Sequence, residues 1–238
     1  METTITTNPA SQPPCTFRLS PSDFAFLWEE CKRCFYLKVV KGFRRPSSPM
    51  PKIFTNIDLQ MKQCFAGKRT AQVVPALPSG VFEYSEKWVQ SGPIVVPGHA
   101  AQCVIRGKFD NAIKFDSGGY GIDDFKTSAR NEEHVPLYSR QLHAYAYAVE
   151  NPAPGHLSLK PVSRLGLLVF EPCIFVHRDT GKSGLAGGVR WIEIARDDEA
   201  FLRFLGEVLD VLERPELPGG SPACEWCIYR DSSRRTGL

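Results

Sequence analysis

Two Cys-x-x-Cys pairs, Cys31/Cys34 and Cys224/Cys227, stand near opposite ends of this 238-residue chain. Each pair offers two thiolates to one metal or cluster, and together they complete a set of four. The ligands of a local zinc finger lie close in sequence, which these do not. If the four thiolates share one centre, the fold must staple the segment around residue 31 to the end of the chain. Four thiolates suit an iron–sulfur cluster or tetrahedral zinc equally well at this level. The other four of the eight cysteines, Cys15, Cys64, Cys103 and Cys173, are scattered and read as tail or core thiols.

The chain opens Met1-Glu2-Thr3-Thr4, without the charged start and apolar core of a secretory signal. A reducing, cytoplasmic setting is therefore expected, with free thiols in place of a disulfide framework. Hydrophobic residues make up 42% and charged residues 23%, enough for one well-buried domain. No apolar run approaches the length of a membrane span. Net charge is only +3, but Lys32, Arg33, Lys38, Lys41, Arg44 and Arg45 crowd one segment, and Arg230, Arg234 and Arg235 another. Such runs form a phosphate-binding surface or simply a solvated face.

Residues 1–18, rich in Thr, Pro and Ser, read as a disordered tail, and 231–238 as a basic one. Ser20-Pro21-Ser22-Asp23 opens a helix, with Ser20 as cap and Phe24, Leu27, Trp28, Cys31 and Phe35 at helical spacing. Pro46, Pro49 and Pro51 mark a loop. A second helix is expected over 53–66, stopped by Gly67, followed by strands over 81–128 and a helix over 137–149. Strands return near 164–170, 173–178 and 189–194, and a last amphipathic helix runs from Asp197 to Leu212. The order predicts a mixed sheet flanked by helices.

The chemistry gathers around two runs. Gly107-Lys108-Phe109-Asp110 puts an aspartate in one strand, and Asp124-Phe125-Lys126-Thr127 puts Asp-x-Lys in the next. Alternation along a strand points Asp124 and Lys126 to one face and Asp123 and Phe125 to the other. The turn residues Asp116-Ser117-Gly118-Gly119 predict a hairpin that brings Asp110 beside Asp124. Two carboxylates and an ammonium on one face can hold a hard divalent cation and polarise a water. Gln141 and Tyr145, four apart on the following helix, share one face.

Taken in order, these motifs resemble the PD-(D/E)XK nuclease superfamily in its RecB-like branch, closest to the CRISPR-associated iron–sulfur exonucleases. Gly107–Asp110 resembles the second motif, Asp124–Thr127 the third, and Gln141-Leu142-His143-Ala144-Tyr145 the branch's Gln-x-x-x-Tyr. Leu19–Ser22 through Cys31–Leu37 resembles its N-terminal helix with a cluster cysteine. The resemblance spans about residues 19–230. It implies an α/β (α+β), restriction-endonuclease-like fold: a mixed central sheet flanked by helices, the two ends joined at a metal or cluster site of four cysteines.

The same resemblance implies that Asp110 and Asp124, with the Phe125 carbonyl, bind magnesium or manganese, that Lys126 positions or deprotonates the attacking water, and that Gln141 and Tyr145 orient the site. The family's first-motif Glu or His is missing between residues 46 and 82, where Asp58 is the best-placed substitute. The cysteines would hold a 4Fe–4S cluster, with structural zinc as the alternative. The related exonucleases divide their cysteines one and three, whereas here the division is two and two. The implied activity is metal-dependent cleavage of single-stranded DNA or duplex ends, within DNA repair, recombination or CRISPR adaptation. The alternative is a nuclease-like module that holds DNA or a partner without cutting. The chain carries no phosphate loop, so an ATP-driven motor would be a separate partner. Trp226 and Tyr229 either stack on bases or pack over the cysteine site.

Overall fold

The computed structural model describes residues 14–46, 51–127 and 135–236. A short strand, β1 (Thr16–Leu19), leads into three consecutive helices, α1 (Pro21–Ala25), α2 (Leu27–Glu30) and α3 (Lys32–Lys41). Beyond the proline loop come α4 (Lys52–Phe65) and the single turn α5 (Thr70–Val73). Six strands follow: β2 (Gly80–Ser85), β3 (Trp88–Gln90), β4 (Ile94–Val95), β5 (Gln102–Lys108), β6 (Asn111–Phe115) and β7 (Tyr120–Thr127). Helix α6 (Val135–Glu150) crosses to β8 (Val162–His177), which pairs back through β9 (Ser183–Ile194), and α7 (Asp198–Leu212) and α8 (Glu225–Arg235) finish the fold.

The expected mixed α/β architecture holds, with the strands divided between two sheets. One has the order β1-β5-β3, with β4 also on β5, and the other runs β2-β6-β7-β8-β9. The β6–β7 hairpin turns where Gly118 and Gly119 take positive φ values of 94° and 79°, a conformation costly for any residue with a Cβ. Strand β7 then pairs parallel to β8, which demands a crossover, and α6 supplies it. Being central, β7 is buried on both faces.

The two faces of this sheet bury different cores. Phe125 joins Met61, Phe82 and Leu168 beneath α4. The larger cluster gathers Phe24, Trp28 and Phe35 with Leu142 and Tyr145 of α6 and Phe201, Phe204 and Leu205 of α7. Asp197 caps α7 by accepting from the Ala200 amide at 2.8 Å, as its place before an amphipathic run dictates. Among the described residues no helix is long and apolar enough to cross a membrane.

Several local expectations change. Thr16–Leu19 is a strand, parallel to β5, instead of part of a disordered tail, and residues up to Arg235 belong to α8, so most of the basic tail is helical. The N-terminal helix is broken at Phe26 and Cys31, and Ser20 makes no capping bond through its side chain. Strands 164–170 and 173–178 are one strand, because the unpaired nitrogen of Pro172 is absorbed by a register shift between Pro172 and Ile174. Residues 1–13 of the tail, 47–50 of the proline loop and the last two residues lie outside the described part.

Candidate active site and metal centre

Asp110 follows β5 at the bend into β6, and the register Asn111↔Asp123 carries it beside Asp124. Its Oδ2 accepts from the Phe125 amide at 3.0 Å. Asp124 projects to the opposite face from Phe125, where Gln141 Nε2 donates to its Oδ1 at 3.1 Å and the Lys126 ammonium contacts its Oδ2. Tyr145, one turn beyond Gln141, donates its hydroxyl to the Lys108 carbonyl at 2.8 Å and so braces the strand end that carries Asp110. Gly107 lets this happen: a Cβ there would lie 2.8 Å from Pro21 and 3.0 Å from the Tyr145 ring.

Asp58, Asp110, Asp124 and Lys126 line one cleft of about 1280 Å³. Asp58 sits on α4 one turn before Lys62, a residue that no sequence motif singles out. Lys62 is only 8% exposed, and its Nζ lies 2.8 Å from both Asp58 Oδ2 and Asp110 Oδ1 and 3.2 Å from Glu86 Oε1. Its spacing from Asp58 is the one legible signal. Glu86 has none, since its place depends on a positive-φ turn whose amide bonds the Asp110 carbonyl.

The electrostatics follow from burial and these ammonium groups. Burial favours the neutral form of Asp110, but Lys62 outweighs it and holds the carboxyl below its ordinary range. Asp124 is pushed up by burial and by the charge of Asp110, against the pull of Lys126. Burial also pushes Asp123 up, to about 8, with Asn111 its hydrogen-bond partner at 2.9 Å. Burial opposes the charge on Lys126, yet Asp124 prevails and keeps it an ammonium, 4.6 Å over the Tyr138 ring. The donor set of three carboxylates fits a hard divalent cation, whose charge would replace that of Lys62. Phe125, named for its carbonyl, lies in the β7–β8 ladder. His143 is structural: its Nε2 accepts from the Asp197 amide at 2.8 Å, joining α6 to the start of α7.

The four cysteines meet. Cys31, Cys34, Cys224 and Cys227 are all buried, with their sulfurs within 4.8 Å of one another, so a metal ion or cluster can sit between the two ends of the fold. Cys31 is the N-cap of α3 and Cys34 lies three residues on, and Cys224 and Cys227 repeat those positions in α8. Breaking the N-terminal helix at Cys31 is what gives α3 its own N-terminus.

Trp226 packs against this cage, whereas Tyr229 is 72% exposed. The basic run proves divided. Arg45 donates to Cys224 and Glu30, Arg33 pairs with Asp231, Lys38 pairs with Asp23, and Arg230 donates to Cys227. Arg44 remains exposed, on the rim of the cleft.

No family model matches the chain, and no curated protein matches it. Among solved structures, one described as "Crystal structure of SSO0001" aligns at 16% identity over 84% of this chain and 79% of that one, with a TM-score of 0.44. So remote a likeness lends no weight to any assignment.

Proposed function

We propose that this protein is a metal-dependent deoxyribonuclease of the PD-(D/E)XK type, acting on single-stranded DNA or duplex ends. The observation that carries the reading is the convergence of Asp110, Asp124 and Lys126 across the β6–β7 hairpin, with Asp58 facing the same cleft. Asp58, Asp110, Asp124 and the Phe125 carbonyl would hold magnesium or manganese, which when bound neutralises phosphate charge and acidifies a water.

The chain's own groups supply the rest. Lys126, kept an ammonium by Asp124 in the metal-free site, would position or deprotonate the attacking water and donate to the phosphate oxygen on which charge grows. Gln141 fixes the rotation of the Asp124 carboxylate, and Tyr145 holds the strand end before Asp110. Arg18, Arg44 and Arg106 on the cleft wall suit the phosphates of an incoming strand. Trp88 beside them is 62% exposed, with the Arg106 guanidinium 5.5 Å over its ring, a platform suited to stacking an unpaired base. A place in a recombination or CRISPR adaptation complex rests on the motif resemblance alone.

One observation favours a second reading. Lys62 already neutralises Asp58 and Asp110, which would suit a scaffold that binds DNA without cutting it. Cleavage of end-labelled single-stranded DNA with magnesium or manganese separates the two. The nuclease reading expects metal-dependent products that disappear in Lys126→Ala and Asp124→Ala. Persistent cleavage by both purified variants overturns that site, and salt-sensitive DNA binding without turnover in the wild type favours the scaffold.

A further inference from the structure

We propose that Cys31, Cys34, Cys224 and Cys227 bind one zinc ion as a tetrahedral tetrathiolate, in place of an iron–sulfur cluster, with Arg33, Arg45 and Arg230 offsetting its negative charge. The geometry is the first support. Zinc lies about 2.3 Å from each thiolate, so the edges of its sulfur tetrahedron are about 3.8 Å. The sulfurs of Cys31 and Cys227 are 3.6 Å apart, those of Cys34 and Cys227 3.6 Å, and those of Cys34 and Cys224 3.8 Å. In a four-iron cluster each thiolate binds its own iron, and the body of irons and sulfides stands between them. With three pairs of sulfurs in van der Waals contact and all four within 4.8 Å of one another, the cage encloses a single ion and leaves no room for that body.

The local backbone agrees. Each Cys-x-x-Cys occupies the N-cap and third position of its helix, so two equivalent helix N-termini each present a pair of thiolates to one point. The positive ends of both helices favour the deprotonated sulfurs that a metal requires. Cys34 is then an indispensable ligand, equal to the other three.

The arginines are the third support. Arg45 Nη2 donates to Cys224 Sγ at 3.2 Å and Arg230 Nη2 to Cys227 Sγ at 3.5 Å. Arg33 belongs to the group too, since Asp231 and a hydrogen bond to Cys227 both favour its charged form. These side chains are 18%, 15% and 19% exposed for Arg33, Arg45 and Arg230, and the Nε of each is buried without a hydrogen-bond partner. Glu30 pairs with Arg45, and Asp231 is shared by Arg33 and Arg230, so the three cations outnumber their carboxylates; a divalent ion with four thiolates is an anion that the excess positive charge stabilises. Thiolate donors suit zinc and iron alike, and of the two divalent ions zinc binds a given site more tightly.

The inference is independent of the nuclease reading, because it is tested on metal content and spectra of the full chain. The protein is purified without oxygen from cells supplied with both iron and zinc, then assayed for both metals and for acid-labile sulfide. The expected result is about one zinc per chain, no sulfide and no visible absorption. Replacement with cobalt(II) should give the visible bands of a tetrahedral tetrathiolate. Arg45→Met should weaken zinc about tenfold, and Cys34→Ala by more. Iron with acid-labile sulfide overturns the proposal, as does a folded wild-type protein that holds no stoichiometric metal. If Cys34→Ala fails to fold, the wild-type metal and sulfide assay still decides.

Discussion

At the scale of single residues, the candidate site is a problem of charge balance. Asp124 and Lys126 were readable because a strand's period of two places them together, and Asp110 because a glycine turn fixed the hairpin. Lys62 was not, because a lysine one turn from an aspartate looks like an ordinary surface pair until a strand from elsewhere covers it. Replacing it with methionine strands Asp58 and Asp110 without a counter-charge. Lys62→Met should lose about 1–3 kcal/mol in chelator, and added magnesium should raise its melting temperature more than the wild type's. An equal response in the two proteins would show that Lys62 does not stand in for a cation. Asp123 gives a prediction in pH. Its folded value of about 8 lies above its ordinary 3.8, so its stabilising contribution is complete below pH about 4 and is lost as pH rises through 8. In chelator, Asp123→Asn should therefore gain on the wild type across that window, by several kcal/mol at pH 9, in urea unfolding.

At the scale of elements, close approach decides what periodicity cannot. Gly107 lies where β5 passes under α1 and α6, with Pro21 and the Tyr145 ring against its open side. Pro21 is rigid and Tyr145 is tied to the Lys108 carbonyl, so neither yields easily. Gly107→Val should cost about 1–3 kcal/mol in denaturant unfolding, and should reduce any DNA cleavage by displacing Tyr145. Unchanged stability would mean that α1 can shift. The helix over 198–212 was legible because it buries one apolar stripe. The helix over 135–150 is instead buried on nearly all sides beyond Gln141, and that over 52–65 buries only Met61 and Lys62 and leaves Ile53 and Cys64 exposed. The break at Cys31 was not legible, since Phe24, Trp28 and Phe35 keep helical spacing across it, and only the demand for two converging thiols ends the helix there.

For the whole molecule, the cysteine cage is a cross-link between residues 190 or more apart, which removes much of the unfolded chain's freedom. Stripping its metal should lower stability by on the order of 3–5 kcal/mol if the centre acts as other long-range cross-links do. Calorimetry with and without a strong chelator measures this, and an unchanged melting temperature would deny the cage a structural role. The sequence by itself determined the mixed α/β class, most helices and strands, the Asp-x-Lys pair and the need to bring Cys31 and Cys34 to Cys224 and Cys227. Those follow from local periodicity, turn chemistry and the small number of ways four thiols can be used. Only the tertiary structure decided that the strands form two sheets, that Lys62 bridges Asp58, Asp110 and Glu86, and that arginines surround the thiols. These depend on contacts between segments far apart in sequence, where packing and desolvation select partners that no local pattern records.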